Sequence, residues 1–260
     1  MLQLTADQLR GWGPFGSQEN RIAVFSVGNP CEGHSPALPR DIDDRVARAL
    51  ALRACDSLGA YYCGHVPFTS DRVGEIAKDW SPLWIPQEEM VRRTGAFIHR
   101  VLAEVALRFE AVFVVNGHGG NNFLENYEDK LTEIAGRRVF FVIPFEGIQA
   151  GHADTPEHSV AAYLGLVDAE RLAELNEVAE ADPLEALRRW PPIGGLGGYI
   201  RFGGDRYDEL RKKEYGLVDC LEGFLQDRCI SADISLGRRL FDQMLENLAA
   251  AISESIDKQG

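Results

Sequence analysis

The sequence predicts an α/β fold, a three-layer α/β/α sandwich around a central, mostly parallel β-sheet. Short apolar runs rich in β-branched and aromatic residues alternate along the chain with longer segments of helical period. Connections of helical length favour parallel pairing of the strands, with helices covering both faces of the sheet. In such folds the loops that leave the carboxyl ends of the strands build the functional site.

Each predicted strand is a nearly continuous apolar run, and the helices show acidic first turns or a closing glycine. The predicted strands cover residues 21–28, 60–68, 111–115 and 137–145. The predicted helices cover residues 43–59, 86–109, 123–136, 157–166 and 236–256. Residues 191–204, PPIGGLGGYIRFGG, are too rich in glycine for regular structure, so we expect a loop excursion around 190–216. Without internal repeats, residues 1–260 are expected to form a single domain.

The composition and net charge of the chain argue against a nucleic-acid partner and against membrane association. The chain has 260 residues and a formal net charge of −13, so it lacks the basic footprint of a nucleic-acid binder. No apolar run approaches the roughly 20 residues of a membrane span, and residues 1–16 lack the pattern of a signal peptide. Five cysteines without a CxxC pair argue against a disulfide framework. We expect a cytoplasmic protein with a small-molecule substrate, no nucleic-acid partner and no membrane association.

Three loops that follow predicted strands carry residues typical of metal ligands. The first loop, residues 28–44, is stiffened by prolines. The second places one histidine among glycines, and the third opens a helix. In chain order the candidate residues of these loops are Glu32, His34, Asp43, His118, His152, Asp154, Glu157 and His158.

Each loop alone has a simpler interpretation. The first could be a polar surface loop, the second a tight turn in which Asn121 or Asn122 caps a helix from Phe123, and the third a polar helix start. Taken together, the three loops instead predict one shared site, because parallel strands bring all of them to one edge of the sheet. Mixed nitrogen and oxygen ligands suit zinc, manganese or iron. Two such ions with a bridging carboxylate would activate water at neutral pH.

Three ordered motifs resemble the creatininase (creatinine amidohydrolase) family. They are E-x-H-x-x-x-L-P-x-x-x-D from Glu32 to Asp43, NGHGGN from Asn116 to Asn121, and H-A-x-x-x-E-x-S from His152 to Ser159. The resemblance spans roughly residues 20–160. Ala37 replaces the second histidine of the family's first motif, so we expect a member other than creatininase itself.

The resemblance implies two divalent metal ions per chain. Glu32 and His118 would hold one ion and His34 the other, with Asp43 bridging. Gly120 stands where creatininase itself has a glutamate ligand, and we expect Glu157 to fill that place.

The resemblance also implies catalytic and substrate-binding residues. His152 would act as the acid–base residue, and Glu157 is the second predicted catalytic residue. His158 stands where relatives commonly have threonine, so its role is open. In the NGHGGN motif, the candidate substrate groups are Asn116, Gly119, Gly120 and Asn121. The stretches 65–80 and 190–216 do not look like creatininase itself, and they supply further candidates, each of which could instead serve loop packing: Ser70, Asp71, Arg72, Trp80, Tyr199 and Arg201.

The leading hypothesis is a metal-dependent hydrolase that uses metal-activated water on an amide or formamide C–N bond of a small polar, cyclic substrate. One alternative is hydrolytic ring opening of an oxidised inositol, which a polar, glycine-rich 190–204 loop would suit. Others are a single-metal enzyme and a catalytically silent metal- or nucleotide-binding protein. A phosphate-binding glycine loop ranks low, because neither G-x-x-x-x-G-K-[ST] nor G-x-G-x-x-G occurs. The resemblance further implies a homo-oligomer, often a hexamer.

Overall fold

The fold is built on a four-stranded, fully parallel sheet with strand order β2-β1-β3-β4. A computed structural model describes residues 22–105, 107–148, 151–202, 205–207 and 218–257. The strands are β1 Ile22–Val27, β2 Tyr61–Val66, β3 Ala111–Asn116 and β4 Arg138–Val142. The prediction of an α/β fold with a parallel sheet is therefore confirmed.

Within the described residues the chain forms nine α-helices. They are α1 Ile42–Leu58, α2 Gln87–Glu104, α3 Glu128–Ala135, α4 Thr155–Tyr163, α5 Ala169–Ala181, α6 Pro183–Arg189, α7 Gly195–Phe202, α8 Val218–Asp227 and α9 Ile234–Asp257. Four 3-10 helices accompany them, at Glu75–Asp79, Gly119–Tyr127, Pro191–Gly194 and Asp205–Tyr207. No helix in this described part combines the length and apolar character needed to cross a bilayer.

The described chain packs into two compact units. The first, here called the sheet unit, contains the described parts of residues 22–32, 41–146 and 242–257. The second, here called the helical unit, contains the described parts of residues 33–40 and 147–241. The expectation of one domain over the whole chain stays a prediction.

In the sheet unit, helices cover both faces of the sheet. Every residue of β1 and β3 is buried, as expected for central parallel strands. Phe25 and Val114 share a buried cluster with Ile98 of α2 and Leu131 of α3, whereas α1 packs against β1 and β3. Right-handed crossovers in the order β2-β1-β3-β4 require this division, with α1 on one face and α2 and α3 on the other. The three layers of the predicted sandwich are thus present.

The helical unit has its own apolar core, formed by α5 to α8 and the chain around them. Leu175, Leu187, Ile193 and Phe224 are buried together there. Ile193 and Phe202 of the glycine-rich stretch contribute to this core.

The expectation that residues 191–204 lack regular structure was wrong for residues 191–202, which form a 3-10 helix followed by α7. A Cβ atom at Gly198 would collide with the carbonyl oxygen of Pro191, and one at Gly194 would lie 2.8 Å from Leu187 Cδ2. The glycines therefore permit close packing of helical backbone. Residues 203–204 and 208–217 of the expected excursion lie outside the described residues.

Candidate metal centre

The ends of β1 and β3 lie side by side, which brings their loops together. Val27 pairs with Asn116 in register, and the Gly117 N–H donates to the Val27 carbonyl at 2.8 Å. The loop after β1 carries Glu32, and the loop after β3 carries His118. The parallel register therefore accounts for the meeting of two motifs separated by more than eighty positions in the sequence.

Two glycines allow the first turn of α1 to approach these strand ends. A Cβ atom at Gly28 would lie 2.5 Å from the Asp44 nitrogen. One at Gly117 would collide with the Asp43 carbonyl oxygen and lie 2.9 Å from Ala47 Cβ. Because both positions lack a side chain, the helix start that bears Asp43 reaches the end of the sheet.

Glu32, Asp43 and His118 form a compact, buried cluster in the sheet unit. Nδ1 of His118 lies 2.9 Å from Oε2 of Glu32 and 3.0 Å from Oδ2 of Asp43. One ligand atom from each residue lies within 4.8 Å of the others, and the three residues are 4–6% exposed. Two carboxylates and one imidazole match the donor set of zinc, manganese and iron sites. The residues present therefore fit a divalent cation.

The charge balance of the cluster supports the same conclusion. Burial alone would lower the pKa of His118, but attraction by Glu32 and hydrogen bonds to Asp43 and Glu32 raise this pKa well above its usual value. The protonated imidazole thus compensates two buried carboxylates that would otherwise be costly to desolvate. A divalent cation can provide the same compensation, with His118 neutral and acting as a ligand.

Asn116 and Asn121 use their amides to build the β3 loop. Asn116 Nδ2 donates at 2.8 Å to both the His118 carbonyl and Asn122 Oδ1, and its Oδ1 accepts from the His118 N–H at 3.1 Å. Asn121 Nδ2 donates to the Gly28 carbonyl at 2.8 Å. Both residues are fully buried. They hold His118 in place, while their predicted contact with substrate stays a prediction.

The expected helix from Phe123 with an asparagine cap was wrong. Residues Gly119–Tyr127 form a 3-10 helix, and α3 begins only at Glu128 with no side-chain cap. The side-chain amides of these asparagines are used within the loops of the site. Asn121 Nδ2 donates to the Gly28 carbonyl, and Asn122 Oδ1 accepts from Asn116 Nδ2, so neither side chain caps an α-helix.

The adjacent glycines of the β3 loop differ in their surroundings. A Cβ atom at Gly119 would have open space, whereas one at Gly120 would collide with His118 Nε2 and lie 2.9 Å from the Ser70 carbonyl oxygen. Gly120 therefore leaves room for the imidazole. In this arrangement a side chain at position 120 would compete with His118 for space.

The segment from Thr69 to Ile85 carries four further predicted substrate residues. Ser70 is fully buried, its N–H donates to Asn121 Oδ1 at 3.0 Å, and its hydroxyl has no hydrogen-bond partner among the described residues. Asp71 Oδ1 accepts from the Val73 N–H at 3.0 Å and shapes a turn. Arg72 is exposed, and Trp80 is buried. Ser70 thus lies next to the cluster across Gly120, and the other three belong to the same segment.

The sequence motifs missed Asn29 and Ser81. Asn29 Nδ2 donates to Glu32 Oε2 at 3.1 Å and to Ser81 Oγ at 3.0 Å. An asparagine between the end of a buried strand and a ligand candidate was a usable signal for the first residue. No sequence signal identified Ser81, because its link to Asn29 spans 52 positions.

His34, His152 and Glu157 form a second group of predicted residues, in the helical unit. His34 Nε2 lies 3.4 Å from Glu157 Oε1, and the rings of His34 and His152 are 4.3 Å apart at a tilt of 38°. His152 Nε2 contacts the Gly33 carbonyl at 2.8 Å, so this nitrogen carries the proton. Glu157 Oε2 accepts from the Ala153 N–H at 2.6 Å. The two predicted catalytic residues and one predicted ligand therefore lie together.

The start of α4 holds Glu157 in this position. Asp154 is the N-cap, and its side chain accepts from the Glu157 N–H at 3.0 Å. Ala153 is fully buried with a φ of 55°, which L side chains rarely adopt. The capped helix start and this strained residue together direct Glu157 toward His34.

His158 has a positioning role in the same unit. Its Nδ1 contacts the Asp154 carbonyl at 2.8 Å and must therefore donate, while Nε2 accepts from Ser35 Oγ at 2.5 Å. Burial lowers the pKa of His158, which favours this neutral form. Since Ser35 follows His34, His158 anchors the chain that carries a ligand candidate.

Tyr199 and Arg201 lie on α7 of the helical unit. The ring of Tyr199 stacks on Tyr207 at 6.4 Å, and the exposed Arg201 guanidinium lies 5.9 Å from the centroid of the Phe202 ring. Their contact with a substrate stays a prediction.

Comparison with known proteins places this geometry in context. No model of a known protein family matches the chain. The chain is 29% identical over 235 residues to the 2-amino-5-formylamino-6-ribosylaminopyrimidin-4(3H)-one 5'-monophosphate deformylase of Methanothermobacter thermautotrophicus, covering 90% of this chain and 89% of that protein. The deformylase of the same name from Methanothermobacter marburgensis is 26% identical, over 92% of each chain. The similarity thus extends over nearly the whole length of both proteins.

Solved structures share the fold. A putative creatinine amidohydrolase from Bacteroides fragilis superposes with a TM-score of 0.56 at 16% identity, covering 89% of this chain and 88% of that one. A creatininase structure described as the manganese form gives a TM-score of 0.53 at 15% identity over 91% of each chain. A variant creatininase described as the zinc–zinc type gives 0.52 at 15% identity, also over 91% of each chain.

Proposed function

We propose that the chain, which is similar to members of the creatininase family other than creatininase itself, is a divalent-metal-dependent hydrolase of a small polar molecule. The bond cleaved is the C–N bond of an amide or formamide. Relatives named as deformylases, which match the chain over nearly its whole length, favour the formamide. A formylamino group on a nitrogen heterocycle is the substrate class that follows.

The Glu32–Asp43–His118 cluster carries this proposal. Its three donors converge, are buried, and have the composition of a transition-metal site. A bound divalent ion would supply a Lewis acid that polarises the substrate carbonyl and lowers the pKa of water. The creatininase structures in the manganese form and of the zinc–zinc type support manganese and zinc as the first ions to test.

We extend the proposal to a second ion per chain, which His34 and Glu157 would hold, while a bridging role for Asp43 stays a prediction. The 3.4 Å separation of His34 Nε2 and Glu157 Oε1 supports this pair of ligands.

His152 is proposed to move the proton in this reaction. In the neutral imidazole with the proton on Nε2, directed to the Gly33 carbonyl, Nδ1 is an acceptor. A histidine that accepts a proton at Nδ1 can return it to the departing nitrogen as general acid. Ser70, Asp71, Arg72, Trp80, Tyr199 and Arg201 stay candidate substrate contacts, and a homo-oligomer stays a prediction.

An activity panel with the metal-reconstituted protein tests the substrate class. The panel contains formylamino heterocycles, cyclic amides and oxidised inositols, each with zinc, manganese or iron. We expect release of formate from the formylamino compounds. Ring opening of an oxidised inositol without turnover of any amide would contradict the proposal.

Metal counting tests the site independently of activity. We expect about two ions per chain after dialysis, by analogy with two-metal hydrolases, and loss of one in Glu157→Gln. His118→Ala should lose the ion held by the sheet unit, whereas His99→Ala, whose Nδ1 contacts only the Ala135 carbonyl among the described residues, serves as the control. One ion per chain in both the wild type and Glu157→Gln would indicate a single-metal enzyme. A folded wild-type protein without metal would indicate a silent binder.

A further inference from the structure

Asn29 lies fully buried between the end of β1 and Glu32. Its Oδ1 accepts from the Cys31 N–H at 3.2 Å. Because a backbone N–H can only donate, this contact fixes which way the amide faces. Nδ2 is therefore directed to Glu32, where it donates to Oε2 at 3.1 Å.

Ser81 completes the surroundings of this amide. Its hydroxyl oxygen lies 3.0 Å from Nδ2 and 3.3 Å from Oδ1 of Asn29, and Ser81 is also fully buried. The Ser81 backbone is itself fixed, since its N–H donates to the Ala77 carbonyl at 2.7 Å and its carbonyl accepts from the Trp84 N–H at 2.9 Å. The hydroxyl is thus held against the amide by a rigid turn.

This turn belongs to the segment from Thr69 to Ile85, which closes on itself. Thr69 forms a parallel bridge with Trp84, and the Ile85 N–H donates to the Thr69 carbonyl at 3.0 Å. At its start the segment is tied to the β3 loop through the Ser70 N–H and Asn121 Oδ1. At Ser81 it is tied to Glu32 through Asn29. The segment therefore reaches both ligand-bearing loops of the sheet unit.

Packing alone would not require this polar pair. Burying an amide and a hydroxyl is costly unless their hydrogen-bonding groups find partners, and an apolar pair would fill the same space. The amide, however, donates to one oxygen of the Glu32 carboxylate. Hydrogen bonds of this kind orient metal-ligating carboxylates, and their loss typically weakens metal affinity by about 10–100-fold.

We propose that Asn29 and Ser81 form a positioning pair that holds the Glu32 carboxylate in the orientation required for a divalent cation. Asn29 makes the contact, and Ser81 fixes the Asn29 amide. The inference rests on the proposed metal-dependent function, and it adds a requirement that none of the ligand motifs contains.

The test is equilibrium binding of Zn²⁺ and of Mn²⁺ to the full-length protein, measured by competition with a chelating indicator. We expect Asn29→Ala and Ser81→Ala each to weaken metal affinity by about 10–100-fold. The double variant should bind no more weakly than Asn29→Ala, because residues acting as one unit are not additive. Asn247→Ala is the matched control. The Asn247 amide also donates twice within the sheet unit, to the carbonyls of Pro144 at 2.9 Å and Glu146 at 3.2 Å, and its loss should leave metal affinity unchanged.

Thermal unfolding of the metal-free proteins separates positioning from packing. A lower Tm combined with wild-type metal affinity in Asn29→Ala would overturn the inference and leave the proposed function intact. If Asn29→Ala does not fold, Ser81→Ala, which removes a single atom, takes its place in the test. Wild-type metal affinity in Ser81→Ala would also overturn the inference. Failure of the wild-type protein to bind either metal would overturn both proposals together.

Discussion

The imidazole of His65 holds the carboxylate of Asp44, with Nε2 2.9 Å from Oδ2. Since a carboxylate only accepts, Nε2 carries the proton, and Nδ1 accepts from the Ser26 hydroxyl at 2.9 Å. The Ser26 hydroxyl in turn lies 2.8 Å from that of Tyr62. A chain of polar contacts therefore joins β2 to the first turn of α1, one residue away from Asp43.

His65→Ala should lower the free energy of unfolding by about 2 kcal/mol, because it removes the 2.9 Å imidazole contact to the buried Asp44 carboxylate. Arg48, with Nη2 at 4.0 Å from Asp44 Oδ2, would be left as its distant partner. Urea denaturation of the metal-free protein measures the change. His99→Ala, which removes a contact to a carbonyl, provides the control and should cost about 1 kcal/mol. Equal losses in both variants would mean that Asp44 does not depend on His65.

The stabilising effect of His65 should weaken as the pH falls. Burial lowers the pKa of His65 in the folded protein, against the opposing pull of Asp44. Below about pH 6.5 the His65 imidazole takes up a proton more readily in the unfolded chain than in the folded protein. The free energy of unfolding therefore decreases as the pH falls through this range. The difference in unfolding free energy between wild type and His65→Ala should therefore shrink between about pH 7.5 and 5.5. Other titrating groups are common to both proteins, and a difference that grows on acidification would refute the assignment.

The sequence was sufficient to predict features that depend on local patterns. The apolar runs of β1 and β3 identified the strands, and parallel pairing then required Glu32 and His118 to meet. It was not sufficient where packing between distant segments decides. In the helix of Gly195–Phe202, Gly198 permits close contact with the Pro191 carbonyl oxygen. The link from Asn29 to Ser81 depends on the path of the segment between Thr69 and Ile85. Helix propensity and residue spacing in the sequence do not predict such contacts between distant segments.

Metal binding should release protons, because the pKa of His118 is raised in the metal-free protein while a ligand imidazole must be neutral. Metal affinity should accordingly rise with pH near neutrality, by up to about tenfold per pH unit while His118 is protonated in the free protein. Calorimetry in buffers of different ionisation enthalpy measures the protons released. In the His118→Ala variant, which should lose this ion, the proton release should be lost with it. Wild-type affinity that is independent of pH around neutrality would show that His118 does not bind the ion.

Two glycines of the β3 loop provide the sharpest test of the close approach that builds the cluster. A Cβ atom at Gly117 would collide with the Asp43 carbonyl oxygen, whereas one at Gly119 would meet nothing within 4 Å. Gly117→Ala should therefore push the first turn of α1 away from the sheet, cost about 1–3 kcal/mol as an overpacked site, and weaken metal binding by displacing Asp43. Gly119→Ala adds the same methyl group two positions away and should change neither quantity. Denaturation and metal titration of the two variants decide the matter, because equal behaviour would mean that α1 approaches the strand ends without needing a glycine at position 117.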